Sequence, residues 1–317
     1  MLPTFVVLAD LSPEQQGWFA PLHHRARLVF GAKLASVGED LRHAVGLFVW
    51  GHPHDPFERV LSAAPLLRWV HYTGAGVEHL LIPTFVNSRV PLTNSRGTHT
   101  PAVSELAMTM LLALAKNLPD RMRDQAQHRW TQQLNRRLAG ATLLVLGLGS
   151  IGSAIARAAS ALGMYVIGVR TSARPARWAN EVVPYFELKR VLPRSEYLVV
   201  CCPETAETRG LVDGTALSLL PRGAIVVNVA RGSIVDEPAL VDALQDGHLG
   251  GAGLDVFASE PLSDTSPLWD MPRVLITPHF ANVLGWERET VRRFIENAER
   301  FLEGRPLRHV VGKRRGY

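Results

Sequence analysis

Two series of short apolar runs, separated by polar or amphipathic stretches, restrict this chain more than any other feature. The first series is FVVLA (5–9), ARLVF (26–30), VGLFVW (45–50), RWVHY (68–72) and VPLT (90–93). The second is TLLVLG (142–147), MYVIGV (164–169), YLVVCC (197–202), AIVVNV (224–229), GAGLDV (251–256) and VLITPH (274–279). Such runs read as strands, and stretches such as LSPEQQGWF and DPFERVLSAA between them as crossover helices. That rhythm predicts βαβ units around parallel sheets, an α/β class. At 317 residues the chain exceeds what one core usually serves, so two doubly wound parallel-sheet domains are expected.

Between the two series, PAVSELAMTMLLALAKNLPD is dense enough in apolar positions for a long buried helix ending near Pro119. RMRDQAQHRWTQQLNRRLAG then reads as a connecting arm. The boundary falls near residues 95–105, which predicts one domain of 1–97 plus 286–317 and another of 98–285. In this division ETVRRFIENAERFLEG leaves the second domain and packs back on the first, and the closing KRRGY is a solvated tail.

Composition narrows the function classes. The chain is 47% hydrophobic and 20% charged, as in an ordinary globular enzyme. Its net charge of +5 comes from 34 basic residues dispersed among 29 acidic ones, with no basic stripe, so a nucleic-acid partner is not expected. No apolar run reaches the ~18 residues a membrane helix needs. Cys201 and Cys202 are adjacent, and strand neighbours point to opposite faces, which argues against a disulfide between them. Small buried hydrophobes in a reducing, cytoplasmic setting are the expectation.

In LLVLGLGSIGSAIARAASALGM, Gly147, Gly149 and Gly152 form GxGxxG between a strand and an alanine-rich helix. The first glycine allows a tight turn, the second lets a pyrophosphate approach the backbone, and the third allows close helix–strand packing. The helix start at Ser150 and Ile151 offers N–H groups and a favourable dipole to phosphate. An acidic residue at the end of the next strand would hold a ribose 2′-OH. Here that end carries Arg170, then Thr171, Ser172 and, after Ala173, Arg174. An arginine pairs with phosphate oxygens, so NADP(H) is favoured. A solvated arginine on a site that takes NAD(H) is the other reading.

With these motifs in order, the sequence resembles the NAD(P)-dependent D-2-hydroxyacid dehydrogenase family, which includes glyoxylate/hydroxypyruvate reductases. The resemblance covers nearly the whole chain. It rests on HYTGAGVEHL (71–80), SELAMTMLLALAK, LGLGSIGSAIA, VNVARGSIVDEPALVDAL (227–244), GAGLDVFASEP (251–261) and ITPH (276–279). It implies a flavodoxin-like substrate domain, a Rossmann NAD(P)-binding domain and a catalytic cleft between them. Arg231 matches the substrate-binding arginine, Glu260 the acid paired with the catalytic base, and His279 the general acid/base. The chemistry fits, since reducing a 2-keto acid needs a cation for its carboxylate and a proton donor at its carbonyl.

Further positions follow from the resemblance. Ala75, Gly76 and Val77 match a backbone cradle for the substrate carboxylate, or form an ordinary turn. Cys202, Pro203 and Thr208 resemble the adenosine-pocket wall, with Val229 and Ala230 also on the cofactor side. Asp255 matches the aspartate near the nicotinamide carboxamide, or caps a strand end. Arg96, Thr98 and His99 line a substrate pocket or form a polar hinge. Trp130 belongs to a dimer arm, since the family is usually dimeric, or simply packs. Phe280 and Trp286 stand where many relatives place small residues, which leaves side-chain specificity open. The expected function is NADP(H)-preferring reduction of small 2-keto acids of the glyoxylate, hydroxypyruvate, pyruvate or phenylpyruvate class by a cytoplasmic homodimer. The alternatives are an NAD-preferring dehydrogenase and a dinucleotide-sensing corepressor.

Overall fold

A computed structural model of the chain describes every residue except Met1, His52, Asn282 and Val283. The chain divides into two compact units, Met1–His99 with Val283–Tyr317, and Thr100–Asn282.

The first unit contains strands β1 (Thr4–Leu8), β2 (Arg27–Phe30), β3 (Ala44–Val49), β4 (Trp69–Tyr72) and β5 (Leu92–Asn94). They pair in parallel in the order β2-β1-β3-β4-β5, the flavodoxin-like arrangement. Period-two alternation sends Val6, Leu8, Leu47, Val49 and Val70 into one core and Phe5, Val7, Phe48 and Trp69 into another. The second core is closed by the helix Trp286–Leu302, whose Val291, Phe294 and Ala298 recur at helical spacing and are buried. Phe294 stacks on Phe48 at 4.6 Å and on Trp69 at 5.2 Å between ring centres.

Beneath these rings His71 is fully buried, with Nδ1 2.8 Å from Thr93 Oγ1 and Nε2 3.2 Å from Ser95 Oγ. Burial, reinforced by the charges of His309 and Arg293, lowers its pKa to about 3. The closing KRRGY is not wholly solvated. Lys313 Nζ lies 2.6, 2.8 and 2.9 Å from the carbonyl oxygens of Phe85, Ser88 and Val90, and over the Phe85 ring. The cation thus gathers carbonyls at and just beyond the end of the short helix Pro83–Asn87.

The second unit contains β6 (Thr142–Leu146), β7 (Tyr165–Arg170), β8 (Glu181–Pro184), β9 (Tyr197–Val200), β10 (Ala224–Asn228), β11 (Leu249–Leu254) and β12 (Val274–Ile276). Its parallel order is β12-β11-β10-β9-β6-β7-β8. The run from β8 to β11 is the 3-2-1-4-5-6 order of a Rossmann sheet, and β12 extends it. The order reverses between β6 and β9, the switch point at which such sheets bind dinucleotides. Leu143, Val145, Val199 and Val227 face the helices Thr100–Ala115 and Ser150–Ala161, while Leu144, Leu146, Val200 and Val226 enter the opposite core.

The long helix ends earlier than expected. Asn117 adopts a left-handed conformation, φ 54°, and separates Thr100–Ala115 from a second helix, Leu118–Ala126. Pro119 therefore sits in a first turn, where its missing N–H is tolerated, and part of the supposed arm is helical. Strand β8 was not evident in the sequence, because EVVP is short and its first two residues are only half-buried. Both cysteines are free, and burial pushes their thiols up, Cys202 to about 12. Among the described residues, no helix is long and apolar enough to cross a membrane.

Candidate active site

In the second unit the expected residues gather because each follows the carboxyl end of a parallel strand. Gly147 follows β6, Arg170 closes β7, Cys202 follows β9, Arg231 follows β10, Asp255 follows β11 and His279 follows β12. Parallel pairing brings all six strand ends to one edge of the sheet.

The glycine loop shows three distinct steric demands. Gly147 has φ 108°, and a Cβ there would lie 2.6 Å from the Cys202 backbone. A Cβ on Gly152 would lie 1.8 Å from the Gly147 carbonyl oxygen. Gly149 is different, because its Cβ would meet nothing within 4 Å, and as N-cap it makes no side-chain bond to the helix Ser150–Ala161. Open space before uncapped N–H groups suits a pyrophosphate. Cys201 Sγ supports the loop from behind, 3.1 Å from the Gly147 carbonyl oxygen.

At the end of β7, Arg170 is half-buried and its Nε donates to the Ser172 carbonyl at 3.1 Å. Thr171 and Arg174 are exposed and Ser172 is half-buried. The nearest acid in sequence, Glu181 on β8, is engaged with Arg190 and Arg194. Cys202 is buried, and Thr208 is buried with its hydroxyl donating to the Pro203 carbonyl at 2.7 Å. Thr208 thus shapes the turn after β9, with its hydroxyl engaged inside it. Val229 and Ala230 are buried after β10.

Three loops carry the remaining expected residues of this unit. Glu260 Oε2 lies 2.6 Å from His279 Nδ1, while Glu260 Oε1 accepts the Phe257 N–H at 3.0 Å. His279 has φ 50°, a backbone region that non-glycine residues seldom adopt. Asp255 is 2% exposed, and one of its oxygens accepts from Thr277 Oγ1 at 2.5 Å and from the Phe280 N–H at 3.2 Å. Burial raises the Asp255 pKa, and those two bonds oppose the rise. Arg231 is half-buried, and its guanidinium donates to the Ala230 carbonyl at 2.7 Å. Two supporting residues escaped the sequence reading, Asn228 and Thr277. Their signals, an Asn three residues before the arginine and a Thr two before the histidine, are visible in VNVARG and TPH.

In the first unit, Ala75, Gly76 and Val77 follow β4, and Arg96 follows β5. Ala75 and Arg96 are exposed, whereas the Val77 side chain is buried in the core. Asn94 Nδ2 donates to the Ala75 carbonyl at 2.7 Å and so fixes the loop after β4. Thr98 is buried, and the His99 ring lies 5.3 Å from that of Trp286. Phe280 is exposed, as are Trp130 and Leu134 in the second unit. No cluster of metal-ligating side chains occurs among the described residues.

Residues 108–281 match the family model for the D-isomer specific 2-hydroxyacid dehydrogenase, NAD binding domain. A D-3-phosphoglycerate dehydrogenase of Mycobacterium bovis is 37% identical over 222 residues, covering 69% of this chain and 42% of that protein. The chain thus spans less than half the length of that relative. A D-isomer specific 2-hydroxyacid dehydrogenase from Xanthobacter autotrophicus Py2, solved in complex with NADPH and MES, is similar with a TM-score of 0.88 and 32% identity, over 100% of both chains. An NADPH-dependent glyoxylate/hydroxypyruvate reductase from Sinorhizobium meliloti, solved with NADP and sulfate, gives 0.85 and 30%, covering 99% of this chain and 100% of that one.

Proposed function

The chain belongs to the D-isomer specific 2-hydroxyacid dehydrogenase family, and from that premise we propose that it reduces small 2-keto acids to D-2-hydroxy acids with NADPH in preference to NADH. The observation that carries this reading is the 2.6 Å contact between Glu260 and His279 at the strand edge that also bears Arg231. The contact commits Nδ1 to the carboxylate and leaves Nε2 to give a proton to a keto oxygen. Arg231 offers a planar fork for the substrate carboxylate and the carbonyl beside it.

The glycine loop, with the N–H groups at Ser150 and Ile151, would hold the pyrophosphate, and Asp255 would face the nicotinamide amide. When bound, the reduced dinucleotide supplies a hydride to the keto carbon. Arg170, with Thr171, Ser172 and Arg174, supports the NADPH preference, because this strand end supplies cations and hydroxyls where a carboxylate would repel a 2′-phosphate. A homodimer belongs to the same reading, with Trp130 and Leu134, 94% and 96% exposed, as apolar surface for a second copy to cover.

The test is steady-state turnover of glyoxylate, hydroxypyruvate, pyruvate and phenylpyruvate with each cofactor. The expected result is reduction with NADPH favoured by about tenfold or more in kcat/KM. Absence of turnover with all four acids and both cofactors overturns the reading.

A further inference from the structure

Asn228 closes β10 with a side chain that is 1% exposed, so its amide is available only to the protein. Its Nδ2 donates to the Arg231 carbonyl at 3.0 Å, and its Oδ1 accepts the Ala230 N–H at 3.1 Å. An N–H only donates and a carbonyl only accepts, so this amide has a single orientation. The two bonds close a loop over Val229, Ala230 and Arg231 and fix the backbone from which the arginine springs. Asn228's own carbonyl accepts the Asp255 N–H at 3.0 Å, which ties the ends of β10 and β11.

The next residue removes the remaining freedom. A Cβ on Gly232 would lie 1.9 Å from the Phe257 carbonyl carbon, so this backbone already presses on the loop that carries Glu260. The Arg231–Gly232 backbone is therefore held by the amide on one side and, at Gly232, by Phe257 and Ala258 on the other. We propose that Asn228 is the positioning residue of Arg231, setting the place of the guanidinium through the backbone. The proposal rests on the reading of Arg231 as the substrate-binding group.

A residue that merely capped the strand would act on stability, whereas a positioning residue acts through the arginine. A double-mutant cycle of Asn228→Ala and Arg231→Lys separates the two roles, with keto-acid KM and kcat, NADPH Kd and urea unfolding measured for each variant. Asn228→Ala is expected to lower keto-acid kcat/KM by about tenfold to a hundredfold, as small misplacements of a binding group do. NADPH Kd is expected to stay within about twofold, because a backbone carbonyl makes the Asp255 bond and survives the substitution. In the Arg231→Lys background, Asn228→Ala should add almost no further loss.

Full additivity, or an unchanged kcat/KM in Asn228→Ala, overturns the positioning role alone. A normal kcat/KM in Arg231→Lys overturns the substrate reading and the proposal with it. Should Asn228→Ala not fold, Asn228→Ser, which keeps a short hydroxyl in the same space, enters the same cycle. Failure of both to fold assigns Asn228 to the scaffold and overturns the proposal.

Discussion

His279 leaves β12 with a left-handed backbone, a conformation that costs about 1–3 kcal/mol and lasts only where the surroundings hold it. Here the His279 N–H bonds to the Thr277 carbonyl at 3.0 Å, Thr277 Oγ1 bonds to Asp255, and Glu260 takes the ring. His279, the proposed proton donor, is thus held from its backbone and from its ring. His279→Ala should slow turnover by about 10²–10⁴-fold, the usual worth of general acid–base catalysis, with NADPH Kd nearly unchanged. Near-normal kcat in that variant removes the histidine from the chemistry. Arg170 makes a separate claim, on the cofactor. Losing a charge-assisted contact to phosphate costs about 1.5–3 kcal/mol, on the order of tenfold to a hundredfold in affinity. Arg170→Asp should therefore raise NADPH KM by that factor and favour NADH, and equal kcat/KM for the two cofactors in the unmodified protein refutes the assignment.

The strand β6, its glycine turn and the helix Ser150–Ala161 act as one element, and two of the glycines separate its functions. Gly152→Ala would drive a methyl into the Gly147 carbonyl, so unfolding free energy should fall by at least the 1–3 kcal/mol typical of overpacking. Gly149→Ala meets open space, so stability should change by less than about 1 kcal/mol while NADPH Kd rises. Equal stability losses in the two variants, measured by urea unfolding, refute this division. That loop was legible in the sequence because its sterics admit only glycine at two places. Strands such as β6 and β10 were legible because they are buried on both faces, which leaves uninterrupted apolar runs. The meeting of Glu260 with His279 was legible only through the family resemblance, since a separation of nineteen residues spanning β12 carries no contact signal of its own. Asn228 and Lys313 were hidden for a related reason. Their partners are main-chain atoms, and for Lys313 those atoms lie more than two hundred residues away.

At the scale of the whole molecule, buried His71 makes the first unit sensitive to acid. The unfolded chain takes a proton at that histidine near pH 6.5, whereas the folded unit takes it only near pH 3. The unfolded state therefore holds more protons between those limits, and stability falls as pH is lowered through them by up to about 1.4 kcal/mol per pH unit. Urea midpoints from pH 7.5 to 5 should decline more steeply in the unmodified protein than in His71→Asn, and parallel declines refute the assignment. The first unit also joins residues on both sides of the second, since Phe5, Phe48 and Trp69 are closed over by Phe294 of the late helix Trp286–Leu302. On a ribosome adding about 5–20 residues per second, the early strands emerge roughly ten seconds or more before that ring is made. The second unit, continuous from Thr100 to Asn282, is wholly synthesised in the interval and needs no later residue to complete its sheet. The unit whose strands are made first is therefore the last to have all its residues. Chains ended at residue 282 and held clear of the ribosomal exit tunnel by an added flexible linker should resist protease in the second unit while the first is still cut. During synthesis, the aromatic face of the early strands is the surface a chaperone would have to shield.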